Sequence, residues 1–423
     1  MATNIFVLGL DDMNAELLHA LPHAEQYSFH RLLDLDDLLT DDIRLPELLA
    51  SAERQLYRFD GSIDAIIGYW DFPVSSLVPI LCERFHTTGP SLEAVVKCEH
   101  KYWSRLVQQE VVAAHPRFAL LDTDHRGGPP SGLTYPLWVK PVKSVSSALA
   151  FRATNHEEFR AGLEAIRQNI DWMGAPFQYV LERIHAPPEI GPSDHCCLVE
   201  EDATGVQLTV EGYTQHGEAH VYGVVETINY PGTFSFLRYL YPARVPDHVI
   251  DRLTDIATRV ISHVGLNNST WNIEFFWDRE RDSLSILEIN PRHSQSHARL
   301  FQMVDGVANH HALVSIALGL DPELPTGQGP AGVAAKCFLR EFGGDAQVVR
   351  VPTAVEVARV ERDVPLTKVD VVAREGERLS NLTHQDSYSY ELALIYIGAE
   401  IEDELDEKYH TCVERLPFGL QRE

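Results

Sequence analysis

Basic residues are in short supply: 35 Lys and Arg stand against 62 Asp and Glu, a formal net charge of −27. This balance argues against a surface built for nucleic acid or anionic membrane, since both reward excess positive charge. Long apolar runs are also missing. No segment approaches about eighteen uninterrupted apolar residues, the length at which a membrane-spanning helix becomes credible. The opening MATNIFVLGL has no basic stretch ahead of its apolar run, as an export signal would, and Asp11 and Asp12 cut that run short. The six cysteines have no metal-ligand spacing, and Cys196 and Cys197 are adjacent, a poor start for a disulfide. A reducing, cytoplasmic setting is the simplest account. No G-x-G-x-x-G follows the first apolar strand, so a dinucleotide site has no support.

Hydrophobic content of 44% over 423 residues supplies core for roughly two to four domains. The most informative stretch is Asn272 to Arg292, NIEFFWDRERDSLSILEINPR, two apolar, β-rich runs around a charged turn at Asp278 to Ser283. It reads as a hairpin. A turn centred near Arg281 sets Glu274 opposite Glu288, an arrangement that destabilises a sheet unless a cation lies between the carboxylates. Hard oxygen donors suit Mg²⁺ or Mn²⁺, and Asn290, on the same strand face as Glu288, offers a third oxygen. Arg292 follows a stiffening proline and presents a fork for an anionic oxygen. The bland alternative is two exposed acids on a solvated hairpin.

IEFFWD followed by LEINPR resembles the metal-binding signature of the ATP-grasp superfamily, in which an acid on one strand and E-x-N-x-R on the next hold magnesium and ATP. The resemblance implies Glu274, Glu288 and Asn290 as metal ligands and Arg292 as the catalytic residue steadying the transferring phosphoryl. It also implies a fold class, α/β and α+β multidomain. An N-terminal parallel α/β domain would span residues 1–92, an ATP-grasp domain 93–325 with a mobile lid at about 133–184, and a C-terminal α+β cap 326–423.

The remaining segments are read along that frame. Strands alternating with helical patterns over about the first ninety residues argue a small parallel α/β layer. GYWDFP at 68–73 ends a predicted strand where open α/β sheets place ligands, which makes Trp70 and Asp71 substrate-side candidates. Ser91 caps a helix running through SLEAVVKCEHKYWSRLVQQEVV, with Lys97 and Lys101 on one face; the family pattern assigns Lys101 to the ATP phosphates. YPLWVKPV reads as a buried strand whose Lys140 needs an anion, and it resembles the strand that opens the lid and contacts the phosphates. The Gly-rich loop that follows in the family is absent. VKSVSSALAF has no glycine, so clamping would fall to Lys143, Ser144, Ser146 and Ser147.

FQYVLERI at 177–184 reads as a strand resembling the adenine-recognising hinge, with Glu182 as the acid beside adenine or ribose. Glu200 and Glu201 are alternatives and Glu211 a further acid beside the nucleotide; the other reading of the hinge acids is a solvated strand end. GVQLTVEGYTQHGEAHVYGVVETIN reads as a long hairpin turning near Gln215 to Gly217. By resemblance Arg238 and Tyr241 would hold a substrate carboxylate, against the alternative of an aromatic loop packed under the lid. His293 joins them on the substrate side, and with His297 it makes an H-x-x-x-H zinc pattern that has no evident third ligand. Ser294, Gln295 and Ser296 replace the family's glycines and would shape the acceptor site.

The implied function is an ATP-dependent ligase that activates a small carboxylate as an acylphosphate and joins it to an amine. The cofactors would be ATP with Mg²⁺ or Mn²⁺, and the partners small molecules, with neither nucleic acid nor membrane. The carboxy-terminal part leaves room for a homodimer surface. Rival readings are a non-catalytic nucleotide-binding regulatory protein and a biotin-carboxylase-like carboxylation.

Overall fold

The structure is a computed structural model that describes residues 3–40, 42–144, 148–382 and 389–422. Short apolar runs form its first layer. β1 (Thr3–Leu8), β2 (Tyr27–Leu32) and β3 (Ala65–Ile67) pair in parallel in the order β2-β1-β3. Helices α1 (Asp12–His19), α2 (Leu35–Leu38), α3 (Leu45–Arg58) and α4 (Val74–Phe85) accompany them. Asp11 caps α1, accepting from the Asn14 amide at 2.7 Å.

The helix expected after Ser91 is two helices, α5 (Leu92–Glu99) and α6 (Lys101–Val111), broken at His100. His100 leaves helical geometry, and its Nδ1 accepts from the Trp103 amide at 3.2 Å, capping α6. The break sends the two lysines apart instead of along one face. Lys97 pairs with Glu93 at 2.7 Å, whereas Lys101 reaches Glu288 at 2.8 Å.

A four-stranded antiparallel sheet follows, ordered β4-β7-β5-β6. It comprises β4 (Phe118–Asp122), β5 (Leu137–Pro141), β6 (Phe151–Ala153) and β7 (Cys196–Glu201), so it draws strands from both sides of 133–184. Phe159, Leu163, Ile166 and Ile170 of α7 (His156–Asn169) and its C-cap pack on Leu137, Val139 and Val199. The strand expected at 177–184 is not formed. α8 (Asp171–Leu181) covers most of it, because Met173, Phe177, Val180 and Leu181 recur at helical rather than alternating spacing and all are buried. Glu182 is the C-cap of that helix and is exposed.

The largest layer is an eight-stranded sheet ordered β12-β11-β8-β9-β10-β13-β16-β15. Its strands are β8 (Val206–Gln215), β9 (Glu218–Asn229), β10 (Phe236–Tyr241), β11 (Ser269–Asp278), β12 (Ser283–Asn290), β13 (Val333–Glu341), β15 (Thr367–Val371) and β16 (Tyr390–Ala399). β14 (Gln347–Arg350) and β17 (Gly419–Gln421) make a separate ribbon. The β8–β9 hairpin turns at His216 and Gly217, both left-handed with φ 53° and 81°, as a tight two-residue turn requires. Of the strands after residue 326, β13, β15 and β16 continue the same sheet.

Strand alternation gives this sheet two characters. Leu208, Val210, Trp271, Ile273 and Phe275 point into a core shared with α9 (Asp247–Val264), which presents Val249, Leu253, Ala257, Val260, Ile261 and Val264. Gln207, Thr209, Glu211, Asn272 and Glu274 alternate onto the other face. Over that face lies α10 (Ala298–Asp305), followed by α11 (His310–Ala317). α12 (Ala354–Asp363) and α13 (Glu402–Arg415) pack on the far side of β13, β15 and β16. No helix among the described residues is long and apolar enough to cross a membrane.

Gly212 sits at the β8 bulge, where an added methyl group would lie 2.3 Å from the Trp271 ring. Gly212→Ala is expected to destabilise the protein by about 1–3 kcal/mol, as overpacking does. Urea unfolding would show it as a lower midpoint at unchanged slope.

Candidate active site

The β11–β12 hairpin has the expected register. Glu274 pairs with Glu288 and Asn272 with Asn290, and a bulge follows, since Phe275 already pairs with Ile286. Leu287 is the extra residue, and its carbonyl accepts from Arg105 Nη2 at 2.8 Å. Glu288 is held by Lys101 at 2.8 Å and kept below the ordinary carboxylate range, although burial opposes that shift. Glu274 accepts from Gln207 Nε2 at 3.0 Å. Burial first, and then the facing Glu288, push its carboxyl up to about 7.

Two like-charged oxygen donors pressed together, one of them holding a proton near neutrality, are a donor set that fits a divalent cation. Asn290 spends its amide nitrogen on Asn272 Oδ1 at 3.0 Å, which leaves the carbonyl oxygen as the group it can offer. Among the described residues no group of three or more His, Cys, Asp or Glu is placed to hold a metal. A cation here would therefore need additional oxygens from a ligand, as Mg²⁺ commonly takes from phosphates.

Cations converge on the carboxylates from three elements. Lys101 opens α6 and also donates to the Ser144 carbonyl at 3.2 Å. Lys140 on β5 meets Glu200 at 2.5 Å, and Arg105, one turn beyond Lys101, meets the other oxygen of Glu200 at 2.9 Å. These two cations hold the Glu200 carboxyl down at about 2, against desolvation. Lys143 lies 3.3 Å from Glu99 and over the rings of Phe72 and Phe177 at 5.2 and 5.1 Å. Glu99 also accepts from Ser75 and Ser76. Arg292 forks onto Asp71 at 2.7 and 2.6 Å, which ties the β11–β12 hairpin to the loop after β3.

Other sequence expectations land elsewhere. Glu182 is exposed at a helix end, and 177–184 is helix and turn instead of the expected strand. Glu200 is committed to Lys140 and Arg105. Glu201 is turned to Arg117 and Thr134. Glu211 is fully buried and accepts from the Ser294 amide at 3.1 Å, His297 Nδ1 at 2.8 Å and the Tyr222 hydroxyl at 3.1 Å. It thus shapes the loop after Asn-Pro-Arg and leaves no oxygen free for a nucleotide.

Arg238 points to the opposite side of the sheet and bonds Glu402 and Asp406 of α13, and the Tyr241 hydroxyl donates to Asp305 at 2.6 Å. Ser146 lies outside the described residues. In the same loop Leu149 adopts a left-handed backbone, φ 57°, the conformation that glycine provides most cheaply. Sequence reasoning missed Glu99, Arg105 and Gln207. Arg105 was signalled by its place four residues after Lys101 on one helix; Glu99 and Gln207 needed the tertiary fold.

His293 is behind the site, not in it. Its amide donates to Thr270 Oγ1 at 3.2 Å, so the hydroxyl is directed to His293 Nδ1 at 3.0 Å. His293 Nε2 then donates to His310 Nδ1 at 2.8 Å, and His310 Nε2 to Asn14 Oδ1 at 2.9 Å, since the Asn14 amide nitrogen is spent on Asp11. His297 instead turns to Glu211, so the two histidines do not share a zinc ion. Burial lowers both relay imidazoles, His310 to about 3, which keeps them neutral.

A histidine that is neutral when folded takes up a proton on unfolding below pH 6.5. Its contribution to stability is complete above that pH and falls with acidification. For His310, and for His100, which burial also lowers to about 3, the loss from pH 7 to pH 5 is about 2 kcal/mol each. Urea unfolding at the two pH values checks this, and His310→Gln should flatten the dependence. Equal stability at pH 5 and 7 would contradict a neutral relay.

Residues 133–298 match the family described as ATP-grasp domain. No curated protein matches the sequence. Among solved structures, the chain is similar to an L-amino acid ligase from Bacillus licheniformis, with a TM-score of 0.73 and 14% identity over 99% of both chains. It is also similar to phosphoribosylglycinamide synthetase from Anaerococcus prevotii, with a TM-score of 0.67 and 14% identity over 100% of both. A third likeness is N5-carboxyaminoimidazole synthase from Aspergillus clavatus, solved with ADP, with a TM-score of 0.66 and 15% identity over 98% of both.

Proposed function

As a chain with an ATP-grasp domain and an ATP-grasp fold throughout, this protein is, we propose, an ATP-dependent ligase that joins a small carboxylate, an amino acid or peptide, to an amine. The observation that carries this reading is the Glu274–Glu288 pair, opposed across one hairpin and ringed by Lys101, Lys140 and Lys143. A protein that only bound a nucleotide need not keep opposed carboxylates. The division into residues 1–92, 93–325 and 326–423 belongs to this reading, as does a cytoplasmic setting.

The reaction asks the protein for alignment and charge neutralisation more than covalent help. A substrate carboxylate oxygen attacks the γ-phosphorus of ATP and the bond to the bridging oxygen breaks, giving an acylphosphate and ADP. An amine nitrogen then attacks the acyl carbon, phosphate leaves with the oxygen, and the amine proton goes to solvent. Lys101 and Lys140 meet the phosphates and give up part of their hold on Glu288 and Glu200. Mg²⁺ held by Glu274, Glu288 and Asn290 would neutralise phosphate charge. Arg292, oriented by Asp71, steadies the oxygens of the transferring group. The lid at about 133–184 closes and keeps water from the acylphosphate.

The decisive measurement is ADP and phosphate release from ATP and Mg²⁺ with pooled amino acids and other small carboxylates, each with and without amines. Release that depends on one pair is expected; ATP binding without release from any pool would leave only nucleotide binding. Glu288→Gln should lower turnover by about 10² or more while the unfolding midpoint stays near the parent value. Lys140→Ala should weaken ATP binding about tenfold or more, and an unaltered affinity would mean that this lysine does not meet the phosphates.

A further inference from the structure

Lys336 lies on the same sheet face as the carboxylate pair, in the row Gln207, Thr227, Tyr239, Lys336 that runs across β8, β9, β10 and β13. Its side chain is only 6% exposed. Nζ donates to Ser296 Oγ at 3.0 Å and lies 5.1 and 5.7 Å from the ring centres of Phe338 and Tyr396. Among the described residues no carboxylate comes within salt-bridge distance of it, and the charges of Glu391 and Asp370 act on it only from farther off; other cations near this face are paired, Arg299 with Glu16 at 3.0 Å and Arg340 with Glu391 at 3.2 Å. A buried ammonium with one neutral hydrogen bond has donors to spare, and enclosing its charge is costly unless an anion arrives.

Ser296 is four residues beyond Arg292 and partly exposed. Tyr239, also partly exposed, feels the charges of Glu274 and Arg292 and stacks edge-on against Phe338 and His297. Adjacent strands are about 4.8 Å apart, so β13 lies roughly 19 Å from β11, the span of an extended substrate and not of one carboxylate.

We infer that Lys336 and Ser296, walled by Tyr239, Phe338 and Tyr396, bind a substrate carboxylate other than the one that is phosphorylated. The inference rests on the ligase reading and narrows its substrates to a pair in which one member carries a second, remote carboxylate. That group sits either on the activated acid or on the amine acceptor. Lys336 is a specificity-determining residue in this scheme. Burial lowers its ammonium to about 8, so it remains mostly protonated at pH 7 and ready for an anionic partner.

The test uses the full chain with Mg²⁺ and ADP and reads direct binding by calorimetry. The probes are the proteinogenic amino acids and the dicarboxylates from malonate to adipate, each compared with the molecule in which one carboxylate is a carboxamide. A probe whose amide binds about tenfold more weakly is expected for the parent protein. Lys336→Met, close in volume, should bring acid and amide within about twofold, with ADP affinity unchanged. Lys336→Arg should keep most of the preference, which separates charge from packing. The same preference in Lys336→Met as in the parent, or no carboxylate-dependent binding by the parent, overturns the inference. Failure of the ligase reading looks different: carboxylate preference at Lys336 persists while ADP release stays absent.

Discussion

Two carboxylates held face to face across β11 and β12 set the terms for everything around them. Neither strand can turn away, because Trp271, Ile273 and Phe275 fix the opposite face in the core shared with α9. The repulsion is instead relieved from outside, by Lys101 against Glu288 and by a proton that Glu274 keeps up to about 7. Lys101 is available because α5 and α6 break at His100; an unbroken helix would have directed it along the face of Lys97. The Leu287 bulge joins the same scheme, since a carbonyl released from the ladder anchors Arg105, and Arg105 anchors Glu200.

Much of this site was legible because it depends on short-range pattern. The Glu274–Glu288 register follows from two apolar runs and a turn of known centre, and Lys140 stood out as a charge inside a strand. The parallel opening layer and the β8–β9 turn at His216 and Gly217 were readable for the same reason. Residues whose partners come from distant segments were not. Arg238 and Tyr241 looked like substrate groups from an aromatic, basic loop, but strand parity sends one to α13 and buries the other against Asp305. Glu182 does not end a strand: the run before it is aromatic and β-branched, but the burial of Met173, Phe177, Val180 and Leu181 has the period of a helix. His293 could not be placed without Asn14, which is far away in the chain and closes the relay.

One residue of the glycine-free loop takes a backbone conformation that glycine provides most cheaply. Leu149 supplies the left-handed turn, and Lys143 sits between Phe72 and Phe177 with its ammonium on Glu99. The loop is thereby tied to the first layer through Ser75 and Ser76, which share that carboxylate. Chain segments that a linear reading treats as a lid and a separate amino-terminal domain meet in one buried hydrogen-bonded group.

Each cation gathered around the opposed carboxylates already has a carboxylate partner: Lys101 with Glu288, Lys140 with Glu200, Lys143 with Glu99, Arg292 with Asp71. The site thus presents little net positive potential to solution, on a chain whose formal charge is −27. A polyanion approaching it meets a like-charged body and is not steered inward. Added salt would screen that repulsion and quicken the encounter, whereas the contacts made after the ion pairs exchange are buried and feel ionic strength far less.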